Sequence, residues 1–289
     1  MAIANAYIQT FETNVRHLSQ QMESKLRGTT QEKGETGSKH NWERLGVLNA
    51  SEKTTVRTPT PAVDSTWSRR VSIAKTYHIG TSTEQEDVVQ MLTDPNGNLT
   101  RAVSSGMKRQ FDDVIIAAAT GSALDGAGAA VLFPAGQKIG TGVEVISFDL
   151  VTAVQEKFMQ NNIDPSVRKF AIVGPTQVRK MMQMTENTSS DYVNAQALQQ
   201  LNATGIVPNW MGFTWILSTR LLAPAAGQIS CLFYTDQAIG VQVNRDISAK
   251  AAEDPSISFA YRIYSHMTLG ATRVEDEQIV HLHLKNTMV

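Results

Sequence analysis

Ser166 and Lys169 stand at the S-x-x-K spacing with which a serine nucleophile and a lysine base work in some acyl-transfer enzymes. That chemistry needs one helical turn to bring the two side chains together. Here Pro165 precedes the serine and an apolar strand follows the lysine, so the turn is missing. His281 and His283 fall on one face of a strand and could both meet a metal ion. A tetrahedral centre needs a third and a fourth ligand, and no spacing supplies them. The glycine-rich stretches 121–128 and 136–142 contain no G-x-G-x-x-G and no following Gly-Lys-Ser/Thr, so they read as turns and not as phosphate cradles. Asp112 and Asp113 are neighbours on a helix, point about 100° apart and cannot share one substrate as acid and base. Cys231, the sole cysteine, sits beside Leu232 and Phe233 with no charged neighbour, which marks a buried structural thiol. Met181, Met182 and Met184 read as gap-filling core. The residues therefore offer no catalytic, cofactor or metal site, and the chain reads as a non-enzyme.

The elements around these residues are better defined than any chemistry. Between the turn cluster Asp94-Pro95-Asn96-Gly97 and Gly121, residues Leu99, Val103, Met107, Phe111, Val114 and Ala118 recur at steps of three or four. This predicts one amphipathic helix from an Asn98 cap to Gly121. At 1.5 Å per residue it would run about 33 Å, long enough to support two domains. Lys108 with Asp112 and Arg109 with Asp113 are spaced to pair on its polar face. Residues 1–27 predict a second helix with Ile3, Tyr7, Phe11, Val15, Leu18, Met22 and Leu26 on one stripe. The Gly- and Thr-rich segment 28–41 detaches this helix as an arm. Residues 42–80, with Pro59, Pro61 and alternation from Val71 to Ile79, predict a two-stranded projection. Such a hairpin is marginal when isolated, so arm and hairpin need contacts from outside. Beyond them, Ser147 caps a helix, 169–184 reads as strand, Gly-Pro turn and helix, and 191–201 reads as helix. Residues 213–218 and 229–234 read as strands, and 257–284 alternates around the turn at Glu275-Asp276-Glu277. Helices and strands in this order, without regular βαβ units, predict an α+β fold.

With 289 residues, 42% hydrophobic and 18% charged, the chain can bury two cores. It contains no run of about 18 apolar residues and no secretory pattern at its N-terminus, which predicts a protein that stays off membranes and in a reducing cytosol. A net charge of −1 argues against tight binding of nucleic acid. Locally, however, seven Lys or Arg face three acids between Lys39 and Lys75, a balance of +4, and Glu84, Glu86, Asp87 and Asp94 follow with −4. Opposite blocks of this kind can fix the register of neighbouring copies.

Seven segments in their order carry a resemblance to a known family: FETNVRHLSQQMESKLR (11–27), TPAVDSTWSRR (60–70), DDVIIAAATGSA (112–123), DPSVRKFAIVGPTQ (164–177), DYVNAQAL (191–198), GFTWILSTRL (212–221) and GATRVEDEQIVHLHL (270–284). Over nearly its whole length the chain resembles a tailed-phage major capsid protein of the HK97-type fold. The resemblance implies an N-terminal arm (1–39), an E-loop hairpin (40–80) and a P-domain. The P-domain would comprise residues 81–165, with a spine helix at about 98–121, and the C-terminal strands 263–289. An A-domain would span 166–262. It implies self-assembly through pentamers and hexamers into an icosahedral virion shell around double-stranded DNA, built in the bacterial host cytoplasm. The DNA would be enclosed without sequence-specific binding. The implied partners are a separate scaffolding protein, a portal and a decoration protein, with no membrane. The segment before the hairpin is too short for a scaffolding extension, which leaves open a separate scaffold or a processed product. No Lys and Asn positions match the covalent crosslink of some relatives. Trp42, Arg57, Trp67, Arg69 and Arg70 on the hairpin, and Tyr7, Phe11 and Leu18 on the arm, are the expected inter-subunit contacts. The alternatives are an encapsulin-like cargo shell and a soluble α+β enzyme.

Overall fold

In the computed structural model, which describes residues 18–56, 62–84, 96–184, 200–201 and 203–287, helix α1 spans Asn96–Thr120. Its buried stripe is Val103, Met107, Phe111, Ile115 and Ala119, with Ile116 beside it. The stripe advances by four at every step, so Val114 and Ala118 lie off it and are half-buried. The last helical bond runs from Gly121 N–H to Ala117 O at 2.8 Å, and a Cβ at Gly121 would come within 2.7 Å of the same oxygen, which suits glycine to the position. The helix serves two compact units: its residues to Gln110 group with Met1–Ser24, Thr76–Gln110 and Arg245–Thr268, and from Phe111 with Lys25–Lys75, Phe111–Asn244 and Leu269–Val289.

The expected pairs on the polar face of α1 are replaced by others. Lys108 binds Glu23 at 2.7 Å and Arg109 donates to Gln20 Oε1 at 2.7 Å. Asp112 is buried and accepts the backbone N–H of Lys25 at 3.0 Å and of Leu26 at 3.2 Å, and Asp113 pairs with Arg220. These contacts also explain why the described part of the expected arm helix, residues 18–27, is irregular. A carboxylate that captures two successive backbone N–H groups leaves them unavailable to carbonyls one turn back. Residues 1–17 of that expected helix lie outside the described residues, as do residues 191–199 of the expected helix 191–201; Gln200 and Leu201 are helical.

Among the described residues the strands form three sheets. The six-stranded sheet has the order β7-β14-β11-β8-β10-β9: β7 (Lys138–Ile139), β14 (Ile279–Lys285), β11 (Gln228–Thr235), β8 (Lys169–Val173), β10 (Phe213–Leu217) and β9 (Ile206–Trp210). Its central strands KFAIV and QISCLFYT are buried nearly throughout, which is why they read as apolar runs without alternation. Helix α2 (Phe148–Gln160) covers the core with Val151, Val154 and Phe158, its start capped by Ser147 Oγ accepting from Leu150 N–H at 3.3 Å. Helix α3 (Pro175–Met182) adds Val178 and Met181, with Pro175 in its first turn as expected. The β9–β10 turn places Met211 and Gly212 at φ 51° and 74°, the left-handed pair of a two-residue hairpin.

The second sheet is β2-β3-β5-β6, with β2 (Lys39–Leu45), β3 (Trp67–Ile73), β5 (Ala123–Asp125) and β6 (Ala130–Val131). The expected two-stranded projection is thus widened, since Arg70 and Val71 pair with Asp125 and Leu124. The third sheet is β1-β12-β13-β4, with β1 (Gln31–Gly34), β12 (Ile239–Asp254), β13 (Ala260–Arg273) and β4 (Lys75–Thr83). The alternation from Val71 to Ile79 is therefore not one strand: it breaks at Ala74, whose N–H turns to Ser38 O at 2.9 Å.

Asp112→Ala removes the acceptor of two backbone N–H groups, one of them in a fully buried residue. It is expected to lower the unfolding free energy of the unassembled chain by about 2–3 kcal/mol in urea. Asp112→Asn keeps one acceptor oxygen and should lose less.

Candidate assembly interface

β2 and β3 run antiparallel in unbroken register from Lys39 opposite Ile73 to Leu45 opposite Trp67. Alternation then sorts their side chains onto two faces. One face carries His40, Trp42 and Arg44 opposite Ser72, Arg70 and Ser68; Trp42, Arg70 and Ser72 are buried, His40 and Arg44 half-buried and Ser68 exposed. Trp42 is 4% exposed, donates from Nε1 to Ser72 Oγ at 3.2 Å, and lies so close to Gly240 that a Cβ there would meet the indole at 2.4 Å. Arg70 is 7% exposed and donates to Asp276 Oδ2 at 2.8 Å. Burial pulls its guanidinium below the usual range against the attraction of Asp276. Arg44 donates to Val274 O at 2.9 Å.

The other face carries Glu43 and Leu45 opposite Arg69 and Trp67, all exposed, whereas Val71 further along the same face is buried. Arg69 and Glu43 pair across the strands at 2.6 Å. Trp67 is 68% exposed, tethered only at its edge by Nε1 donating to Ser65 Oγ at 2.9 Å. Past the last pair Gly46 N–H donates to Thr66 O at 2.8 Å, and a Cβ at Gly46 would lie 2.1 Å from Thr66 Oγ1. A side chain at Gly46 would have to displace the Thr66 hydroxyl. The loop leaves Val47, Leu48, Val56 and Val63 exposed.

Of the expected contacts, the structure thus brings Trp67 and Arg69 to one outward face and takes Trp42 and Arg70 into the chain's own packing. Leu18 is 88% exposed. Arg57, Tyr7 and Phe11 lie outside the described residues. Leu45, the last residue of β2, and the loop residues Val47, Leu48, Val56 and Val63 were missed, the loop residues because they follow neither helical nor strand periodicity; the apolar residues in a Thr- and Pro-rich loop were the available signal.

The catalytic candidates are dispersed or structural. Ser166 lies in a turn with its N–H on Asp164 Oδ1 at 2.8 Å, and Lys169 opens β8, so no helical turn joins them. Cys231 is fully buried, and burial pushes its thiol up to about 12. Among the described residues no group of three or more His, Cys, Asp or Glu is placed to hold a metal ion, and no helix is long and apolar enough to cross a membrane.

The family model described as phage capsid protein matches residues 3–286. The chain belongs to the phage capsid protein family. No curated protein sequence matches this capsid protein. Its fold matches the capsid of cyanophage P-SCSP1u at TM-score 0.76 and 16% identity, covering 99% of this chain and 95% of that one. It matches the capsid of Ralstonia phage GP4 at TM-score 0.74 and 10% identity, with 98% and 96% covered. A chain of Mycobacterium phage Che8 aligns at TM-score 0.72 and 14% identity, with 97% and 98% covered. The fold is therefore the HK97-type α+β capsid fold, and the protein is a structural, shell-forming major capsid protein of the virion. The cargo-shell and enzyme alternatives are not favoured.

In this capsid protein the histidine pair serves packing. His281 stacks on Phe133 with ring centroids 3.7 Å apart, and its Nε2 lies 3.1 Å from Ala119 O. Burial, followed by the neighbouring positive groups, drives its pKa down to about 3. An unfolded histidine protonates near pH 6.5, so between about pH 6.5 and 3 the unfolded chain takes a proton that the folded chain refuses. Stability should fall with decreasing pH across that window by up to about 1.4 kcal/mol per unit. His281→Gln should flatten this limb in urea melts taken between pH 6.5 and 4.5.

Proposed function

We propose that this major capsid protein assembles through pentamers and hexamers into an icosahedral shell around double-stranded DNA, with the β2–β3 hairpin as its E-loop. The observation that carries this reading is the outward face of that hairpin, where Leu45, Trp67 and the loop residues Val47, Leu48, Val56 and Val63 form apolar surface that the chain itself does not cover. Covering such surface repeatedly, once per copy, makes weak contacts sum to a stable closed assembly. In this reading the segment 1–39 is an arm that lies on a neighbour, with Tyr7, Phe11 and Leu18 among its contacts, and Arg57 joins the hairpin contacts. The six-stranded sheet belongs to the A-domain that gathers around the local axes, and the long helix is the spine of the P-domain. Assembly takes place in the bacterial host cytoplasm with a separate scaffolding protein, a portal and a decoration protein. A net charge of −1 supports a wall that encloses DNA without gripping it.

Sedimentation velocity with negative-stain microscopy, on the chain expressed alone and with its neighbouring genes, should give closed shells or capsomers, with nuclease-resistant DNA in shells recovered from infection. A stable monomer under both conditions would overturn the reading. Trp67→Ser should weaken each contact by about 2 kcal/mol, roughly thirtyfold in its affinity. The assembly threshold should rise accordingly, while the melting temperature of the unassembled chain stays within about 1 °C, because an exposed side chain adds little to the fold.

A further inference from the structure

A cleft of about 710 Å³ at the foot of the β2–β3 hairpin is lined by the start of its loop, by the acidic turn at Glu275-Asp276-Glu277 and by Lys157 of α2. Most of its charged groups are already met within the chain. Glu43 pairs with Arg69, Arg44 donates to Val274 O, Glu275 accepts from Gln278 Nε2 at 2.6 Å, and Asp276 holds both Arg70 and Arg273. Three groups are left over. Gln137, at the end of a single 3-10 turn (Ala135–Gln137), lines the cleft and is 6% exposed, and its Oε1 is buried with no hydrogen-bond partner among the described residues. Lys157 is half-buried and Glu277 exposed, and neither belongs to an ion pair among the described residues. A buried amide oxygen without a donor is rare and costly in a folded chain, so one kept in the wall of an open cleft points to a partner outside the chain.

We infer that this cleft seats an extended peptide segment of a second copy, which brings an N–H donor to Gln137 and an acceptor to Lys157. The unmet groups select the class of occupant. A phosphate of DNA would suit Lys157 but would meet Glu277 and leave Gln137 without a donor. A simple cation would suit Gln137 and Glu277 but would meet Lys157 and Arg44. A peptide chain carries donors and acceptors side by side and answers all three groups. Position then selects a second copy as its source. Leu45 and Val47, exposed apolar residues of the hairpin, also line the cleft, so it is continuous with the surface that the shell-forming reading gives to a neighbour. Apolar contact beside a few paired polar groups is the usual anatomy of a protein interface.

The inference rests on the shell-forming reading, and the test separates the two. In the full-length protein, sedimentation velocity gives the concentration at which assembly sets in, and thermal melts of the unassembled chain report the fold. Gln137→Leu removes the unpaired oxygen at similar volume. It is expected to leave the melting temperature unchanged or raise it by about 2 °C, and to raise the assembly concentration about tenfold. Lys157→Met is expected to raise the assembly concentration about fivefold. Q137L or K157M assembling at the wild-type concentration would overturn the seat. So would a Q137L chain that melts more than about 4 °C below wild type, because the oxygen would then be met inside the chain. A wild-type chain that stays monomeric with its neighbouring genes present would overturn the shell reading and the seat with it.

Discussion

Arg273 is wholly buried, and its guanidinium joins parts of the chain that are far apart in sequence. It donates to Gly121 O at 2.6 Å, just past the end of α1, to Val131 O at 3.0 Å in β6, and to Asp276 in the β13–β14 turn. Asp276 also holds Arg70 of β3, and the Phe133 ring lies 5.0 Å beneath the Arg273 guanidinium. A buried cation is tolerable only when its donors and charge are met, and here a carboxylate, two carbonyls and a ring meet them. The β2–β3 hairpin is tied to this node. Arg70 is its inward residue, and Arg44 anchors to Val274 O beside it. Removing Asp276 leaves Arg70 and Arg273 both without their carboxylate at the root of the hairpin.

The node also accounts for the division of labour within the hairpin. A strand cannot bury both faces against one core, and the register from Lys39–Ile73 to Leu45–Trp67 assigns Trp42 and Arg70 to the inside. Arg69 is one residue from Arg70 in sequence and Trp67 three, and both lie on the opposite side in space. A one-residue slip would exchange the two sets, burying the Glu43–Arg69 pair and exposing Trp42. Gly46 closes the loop beyond the last pair, and Gly240 receives the indole of Trp42 at the middle of β2.

Much of this was legible in the sequence. The long helix, the Ser147 cap, the Pro175 start, the strands expected within 169–184 and at 213–218 and 229–234, and the buried Cys231 all follow from local patterns whose tertiary context agrees with them. Readings failed where a distant group overrode a local preference. Residues 18–27 have helical spacing, yet Asp112 claims the N–H groups of Lys25 and Leu26 from 87 and 86 residues away. Lys108 and Arg109 have partners one helical turn on, but Glu23 and Gln20 reach them. β9 and the exposed run of β12 were invisible because neither alternates strongly, and the break at Ala74 arises from two sheets claiming one alternating run. The candidate interface was half legible: the types Trp and Arg on a projection were informative, while the face each occupies depends on a register that composition does not contain.

The central claim is that one face of β2–β3 is built into the chain and the other into a neighbour. Electron cryo-microscopy of assembled particles at side-chain resolution tests it directly. The account predicts closed shells in which Trp42 keeps its contact with Gly240 and Ser72, while Trp67 and Leu45 lie buried against an adjacent copy. Shells in which Trp67 faces solvent at every position would contradict it.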